Sequence, residues 1–335
     1  MNKFNKLLMS TLSLFALTVM TSCDGAGITI DDAVANQRVV DAMEQMMTTQ
    51  IDSFEIDVTA DAEYLGRFFD GQSVENGRNE LDANGEVHVK VNDLFGDDAI
   101  GSVEASATVY AKEGQTVLID SELEAALYLS EGWVYADITN ATAFITAIGQ
   151  TPPPVTTVKK QVGNLATALG FDPEAPIDLP IELEDALPYL NELQDIKATE
   201  KDGELSVVYT ITVNDIVNVA MKVAADSGQF DPTQMTSEDI EGIRSTFYTR
   251  ISSVVSIAEA KITLGVGADG FLSKLYADLD IAVTIAKEGE GQGHELHELD
   301  ASFHIDISNV NQVVDVVLPD NLAQYTEIHE DQPTV

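Results

Sequence analysis

The chain has 335 residues, of which 57 are acidic and 17 basic; the net charge is −40, yet 44 % of the residues are hydrophobic. That charge excludes nucleic-acid binding, which needs Lys and Arg to displace counterions from phosphates, and it opposes adsorption to an anionic membrane surface. Regular hydrophobic patterning excludes a disordered chain, and about 300 residues suffice for one large or two modest domains. A single cysteine leaves no partner for an internal disulfide, so stability has to come from a hydrophobic core.

Lys3 and Lys6 precede an apolar run, Leu7–Val19, broken only by Ser10, Thr11, Ser13 and Thr18. A positive flank, a short apolar core and small residues before a processing point predict a secretory signal peptide over residues 1–22, too short to span a membrane. The segment Met20-Thr21-Ser22-Cys23 resembles the lipobox of bacterial lipoproteins, with Met20 where that family usually has Leu. The resemblance implies a diacylglyceryl group on the Cys23 thiol, cleavage before it, and residues 23–30 as a lipidated tether. The protein would then sit at the extracytoplasmic face of a bacterial cell membrane. An ordinary secretory signal with a chance cysteine is the alternative. Loss of residues 1–22 leaves 57 acidic against 15 basic side chains, near −42, which suits an apolar-rich protein that must stay soluble beside a membrane.

From Asp31 to Gln50 the positions Val34, Val39, Val40, Met43, Met46 and Met47 follow helical spacing, with Asp31 and Asp32 at the N-terminus. The period then changes to two. Phe54, Ile56, Val58, Ala60, Ala62 and Tyr64 alternate with polar residues, which predicts a long antiparallel strand with one dry face. Val87–Val91, Val103–Ala111 and Leu123–Leu129 repeat the pattern, and Trp133–Ile138 reads as a short strand after a turn at Glu131-Gly132.

The middle, 140–200, reads as helical and proline-punctuated. Val155, Val158, Val162, Leu165 and Leu169 keep one stripe that ends at Gly170, and Leu183–Leu193 is a weaker helix candidate. Leu205–Val213 returns to the strand period after an Asp202-Gly203 hairpin turn. Asn214 or Asp215 caps a helix to about Ala225, and Thr236-Ser237-Glu238-Asp239 starts another with Ile240, Ile243, Phe247 and Ile251 in line. A three-strand meander follows, its dry faces Ala260–Val266, Leu275–Ile285 and Leu299–Ile307, and residues 321–335 form a polar tail.

One-sided strands of this length need something to cover the dry face, and the amphipathic helices are the candidates. The predicted fold is therefore α+β: a long, strongly curved antiparallel sheet, a half-barrel, wrapped over a few helices. One domain over 31–320 would contain two helix-plus-meander halves, about 31–139 and 236–309. This order resembles the half-barrel lipoproteins and lipid carriers of bacterial envelopes, including the Lol-type carriers, the mycobacterial lipid-binding lipoproteins and Gram-positive lipoproteins of unassigned function. The resemblance rests on Cys23, the 31–50 helix leading into the 54–64 strand, Gly132-Trp133-Val134-Tyr135 and Val316-Val317-Leu318-Pro319. It implies helices on the concave side of the sheet and an apolar cavity able to hold acyl chains.

Alanine on the dry faces (Ala60, Ala62, Ala105, Ala107, Ala111, Ala125, Ala260, Ala277, Ala301) either leaves a channel or lets a helix approach closely. Ala105, Ala107, Val109, Leu127, Leu279, Ile281 and Phe303 are the expected wall of a ligand cavity. The expected partners are the membrane, through the anchor, and a lipid or other hydrophobic ligand. A surface interaction or structural lipoprotein with a filled core is the alternative.

Neither a cofactor, a metal nor an enzymatic activity is expected. Gly265-x-Gly267-x-x-Gly270 matches the dinucleotide fingerprint as text, but Phe271–Ile285 has a strand's period where that motif needs a helix N-terminus. His294 and His297 are three apart at a strand start, where they point to opposite faces. The acidic run at Asp93–Asp98 lacks the alternating ligands of a calcium loop. Cys23 cannot act as a nucleophile once acylated, and no nucleophile elbow is present.

Overall fold

The computed structural model describes residues 28–70, 75–96, 98–163, 187–286 and 293–328. Cys23 and the signal and lipobox segment lie outside these residues. In chain order the strands are β1 (Ile28–Thr29), β2 (Phe54–Phe69), β3 (Glu75–Asn92), β4 (Ile100–Glu113), β5 (Thr116–Ser130), β6 (Trp133–Asp137) and β7 (Thr157–Gln161). They continue as β8 (Asp195–Lys201), β9 (Glu204–Thr210), β10 (Val255–Val266), β11 (Leu272–Ala286), β12 (His294–Ser308) and β13 (Thr326–Glu327). The helices are α1 (Asp32–Thr48), α2 (Thr142–Ala147), α3 (Leu187–Leu190), α4 (Val213–Asp226) and α5 (Ser237–Ser252). The strands form one 13-stranded sheet in the order β1-β8-β9-β10-β11-β12-β2-β3-β4-β5-β6-β7-β13, mostly antiparallel and not closed into a barrel. Only the short β13 is parallel to its neighbour, β7. The fold is thus α+β.

Local chemistry sets the element boundaries. Asp202 (φ 53°) and Gly203 (φ 88°) turn β8 into β9, and Glu131 (φ 51°) and Gly132 (φ 74°) turn β5 into β6. Two consecutive positive φ values match the right-handed twist of the flanking strands, and a glycine at the second position removes the Cβ clash. The Asp31 carboxylate accepts from the Ala33 and Val34 amides and starts α1. The cap of α4 is Thr212 rather than Asn214 or Asp215: its hydroxyl accepts from the Asp215 amide while the Asp215 carboxylate accepts from the Thr212 amide. Thr236 and Asp239 form the same reciprocal capping box on α5.

Three segments depart from the sequence reading. Thr157–Gln161, expected within a helix, is β7 and pairs antiparallel with Trp133–Asp137. The Val155/Val158/Val162 spacing suits a helix, but Thr156, Thr157 and Val158 are β-branched and the edge of β6 offers a ladder. The rest of that predicted stripe, Leu165 to Gly170, lies outside the described residues, and the 183–193 candidate shows a single turn, α3. β8 was not expected; Ile196 and Ala198 are its only apolar residues, and its pairing with β9 holds it. The ends of the chain also add to the sheet. Ile28 and Thr29, assigned to the tether, pair with Glu200 and Thr199, and Tyr325, assigned to the tail, is buried edge-on against Tyr135.

The chain divides into two compact units, one of residues 1–43, 64–78 and 180–303, the other of 44–63, 79–179 and 304–335. The first holds the main core. Ala35, Val39 and Ala42 of α1 pack with Ala198 of β8, Leu205, Val207 and Tyr209 of β9, Ile262, Leu264 and Val266 of β10, and Val219 of α4. Leu264 and Tyr209 are fully buried. The Tyr209 hydroxyl donates to Asn36 Oδ1 at 2.8 Å, and Asn36 Nδ2 donates to Asn191 Oδ1 at 2.7 Å, so these two buried side chains satisfy each other and Asn191. Burial pushes the Tyr209 phenol well above its usual range. The predicted stripe of α5 is half-buried, and Val34 of α1 faces outward.

The second unit has a much smaller core. Val91, Leu94, Ala99 and Leu129 are buried there, with Phe54, Val89, Phe95 and Val134 against them. A polar knot closes this end of the sheet. Ser53 Oγ donates to Asn92 Oδ1 at 3.1 Å, the Asp52 amide to Asn311 Oδ1 at 2.8 Å, and Asn309 Nδ2 to the Glu55 carboxylate at 2.9 Å.

Candidate functional site

In the second unit the registers of β3, β4 and β5 place alternate residues of all three strands on one face. Leu81 pairs with Ala111, Ala83 with Val109, Gly85 with Ala107, Val87 with Ala105, Val89 with Val103 and Val91 with Gly101. Across β4 these continue to Ile119, Ser121, Leu123, Ala125, Leu127 and Leu129. Eighteen positions form a grid of three strands, and Ser121 is the only polar residue among them. Each strand rises about 3.3 Å per residue and neighbours lie about 4.8 Å apart, so the grid is about 33 Å long and about 14 Å wide with side chains.

Among the described residues, a buried cluster covers one end of this face. At the Val91–Gly101–Leu129 end the Leu94, Phe95 and Ala99 loop packs on it. Beyond it the apolar residues are half-buried at best by their own neighbours; Leu127, one step along β5 from Leu129, is 43 % exposed, and Leu81, near the β4–β5 hairpin, 37 %. No described helix packs here. Helix α2 lies against β5; it follows a short 3-10 turn (Thr139–Ala141) whose Asn140 Nδ2 donates to Glu124 at 2.6 Å, on the opposite face.

That opposite face is charged. Lys90 pairs with Glu55 at 3.0 Å, and His88 Nδ1 lies 2.6 Å from Asp57. The Asp57 hydrogen bond is the main reason the His88 imidazole titrates above its ordinary value. A polar concavity of about 530 Å³ sits there, lined by Glu104, Glu124, Asp137, Tyr128, His88 and Asn140 among others. Burial first, then the Glu104 carboxylate, raise the Tyr128 phenol. Nothing in the sequence marks this concavity, because Asp137 and Asn140 meet Glu104 and Glu124 only where the chain folds back over β5.

Four of the seven expected wall residues, Ala105, Ala107, Val109 and Leu127, lie together on the bare apolar face. The other three belong to the first unit. Leu279 packs beside the buried cluster there, Ile281 is half-buried opposite Ile257, and Phe303 is 37 % exposed.

The histidines of β12 take separate partners. His294 stacks on Phe69 with ring centroids 4.5 Å apart, while His297 Nδ1 lies 2.7 Å from the Tyr64 hydroxyl and its Nε2 3.4 Å from Glu295. Burial, then Glu295, raise the Tyr64 phenol, the direction opposite to that of an activated nucleophile. Arg67 pairs with Glu298 beside them. Among the described residues no three His, Cys, Asp or Glu side chains converge as metal ligands. Gly265 is paired within β10, and Gly267 to Gly270 forms the β10–β11 hairpin turn, with the Gly267 amide donating to Phe271 O at 2.8 Å. No described helix is long and apolar enough to cross a membrane.

Searches against protein-family models and against curated proteins find no match for this chain.

Proposed function

We propose that this protein is a lipid-anchored, extracytoplasmic bacterial lipoprotein, not an enzyme, that holds an apolar or amphiphilic ligand against the bare face of β3, β4 and β5. One observation carries this reading: a grid of eighteen positions with a single hydroxyl, half-exposed, closed at one end and open at the other. Monomeric proteins rarely leave contiguous apolar patches above a few hundred Å² without a use for them. A bilayer leaflet is about 15 Å of hydrocarbon, half of a ~30 Å core, so an acyl chain fits along the grid with length to spare.

Magnitudes favour a ligand over a protein partner. The grid offers about 460 Å², from strand rise and spacing, against about 800 Å² per partner in a standard protein interface. One-sided contact recovers about half of the ~0.8 kcal/mol of a fully buried methylene, so twelve methylenes contribute about 5 kcal/mol. That is close to the lower estimate of the association cost, 4–15 kcal/mol. A flat sheet would therefore hold a single chain poorly, and a sheet curved around it would roughly double the contact. The ligand reading thus brings the half-barrel with it. The second reading, a surface interaction protein, draws on Val117 and Leu118, 50 % and 53 % exposed beside the β4–β5 hairpin; Val117 pairs with Lys112 and so offers a partner an apolar contact on the charged face, apart from the grid.

The experiment is mass spectrometry of an organic extract from the soluble form, residues 24–335, purified without detergent from its native host. A stoichiometric apolar molecule is expected; a clean extract together with no binding of fluorescent acyl probes would transfer the proposal to the interaction protein. Anchoring is tested apart from this: Cys23→Ala should release the protein from membranes or block its maturation, and unchanged retention would refute the lipobox reading.

A further inference from the structure

We propose that Glu113 selects the headgroup at the open end of the bare face and that the ligand is an amphiphile with a cationic head; this rests on the reading that the face binds an amphiphile at all. The face has a direction. Its far end is closed by Leu94, Phe95 and Ala99, so a bound chain runs its tail that way and leaves its head at the β4–β5 hairpin. Alternation along β4 carries the apolar face from Val103 through Ala111 to Glu113, which pairs with Asn79 on β3 and Thr116 on β5. Glu113 is exposed and is the one charged residue that β4 places on this face.

Its chain neighbour Lys112 does not neutralise it. Lys112 points to the opposite face, where its Nζ lies 3.5 Å from Glu80. The surrounding field has the same sign. The three strands carry nine carboxylates against three cationic side chains, and the whole chain stands at −40. The charges on the reverse face lie across one sheet, about 10 Å away, near the ~8 Å Debye length at physiological salt. They weakly attract any cation; Glu113, on the same side as the ligand, contributes the specific contact. A carboxylate or phosphate head at the same point would meet only repulsion.

The test titrates the full mature chain with three fluorescent probes of identical alkyl chain, carrying a trimethylammonium, a phosphocholine or a carboxylate head. The ammonium probe should bind about tenfold more tightly than the carboxylate probe in low salt, with the gap shrinking in 0.5 M salt, as screened charges require. Glu113→Gln should narrow the gap by about threefold, the size of one exposed ion pair, and leave the phosphocholine probe unchanged. Glu122→Gln, on the reverse face of β5, should leave the gap unaltered. An equal or tighter carboxylate probe, or a gap that Glu113→Gln leaves intact, overturns the headgroup assignment. If the phosphocholine probe binds in either case, the apolar-face reading survives; if no probe binds, that reading fails first.

Discussion

The two units treat the same kind of strand in opposite ways. β9 and β10 bury their dry faces under α1 and α4, and Leu264 is 1 % exposed. β4 and β5 leave theirs bare beyond the Leu94–Ala99 loop, and Leu127 is 43 % exposed. Alanine appears in both settings with opposite consequences. Ala260 and Ala277 are buried in the first unit, where Ala35 and Ala42 line the covering helix; Ala105, Ala107 and Ala125 of the second keep the bare face low and smooth. A small residue permits either close helix packing or an accessible surface, and only the presence of the helix selects between them.

The comparison predicts a steep contrast in stability. Leu264→Ala should cost about 2–5 kcal/mol, the range for truncating a fully buried leucine. Leu127→Ala should cost well under half of that, because the side chain is already half in water. Chemical denaturation of both variants measures the difference; equal losses would mean that Leu127 is covered in solution and that the bare face does not exist.

Next in size is Asp215, a buried carboxylate that accepts from the Gln194 amide at 2.9 Å and from the Thr212 amide at 2.8 Å. Asp215→Ala should destabilise by about 1–3 kcal/mol, the cost of a lost cap with buried donors left unpaired. Thr212→Ala should cost less, about 1 kcal/mol, since it removes one capping acceptor. If the two losses come out equal, the Gln194 contact contributes nothing.

A polar change on the bare face should separate stability from binding. Leu127→Gln is expected to shift stability by about 0.5 kcal/mol or less, as for most surface changes, while weakening a fluorescent acyl probe several-fold. Loss of stability without loss of binding would place the ligand elsewhere.

The smallest expected effect lies on the charged face. Asp57 raises the folded-state titration of His88 above its unfolded value, so this pair's contribution is fully present below about pH 6.5, the unfolded value. It fades as pH rises through the folded value. His88→Gln should flatten the slope of stability against pH between about 6 and 8, and an unchanged slope would show that the pair is broken in solution.

The sequence determined the periodicities, and through them the elements and their faces. The alternation in β2, β4, β10, β11 and β12, the Asp202-Gly203 and Glu131-Gly132 turns and the Thr236 capping box are local signals, readable because each acts within a few residues. It also determined which side of β4 is apolar, and so placed Ala105, Ala107, Val109 and Leu127 on one surface. Tertiary structure decided what that surface meets. Thr157–Gln161 became a strand because β6 had an edge to offer, and Tyr64 met His297 across 233 positions of chain, where no spacing rule applies. Whether a dry face becomes core or remains bare depends on where the few helices dock, a competition between distant segments that hydrophobic pattern alone does not rank.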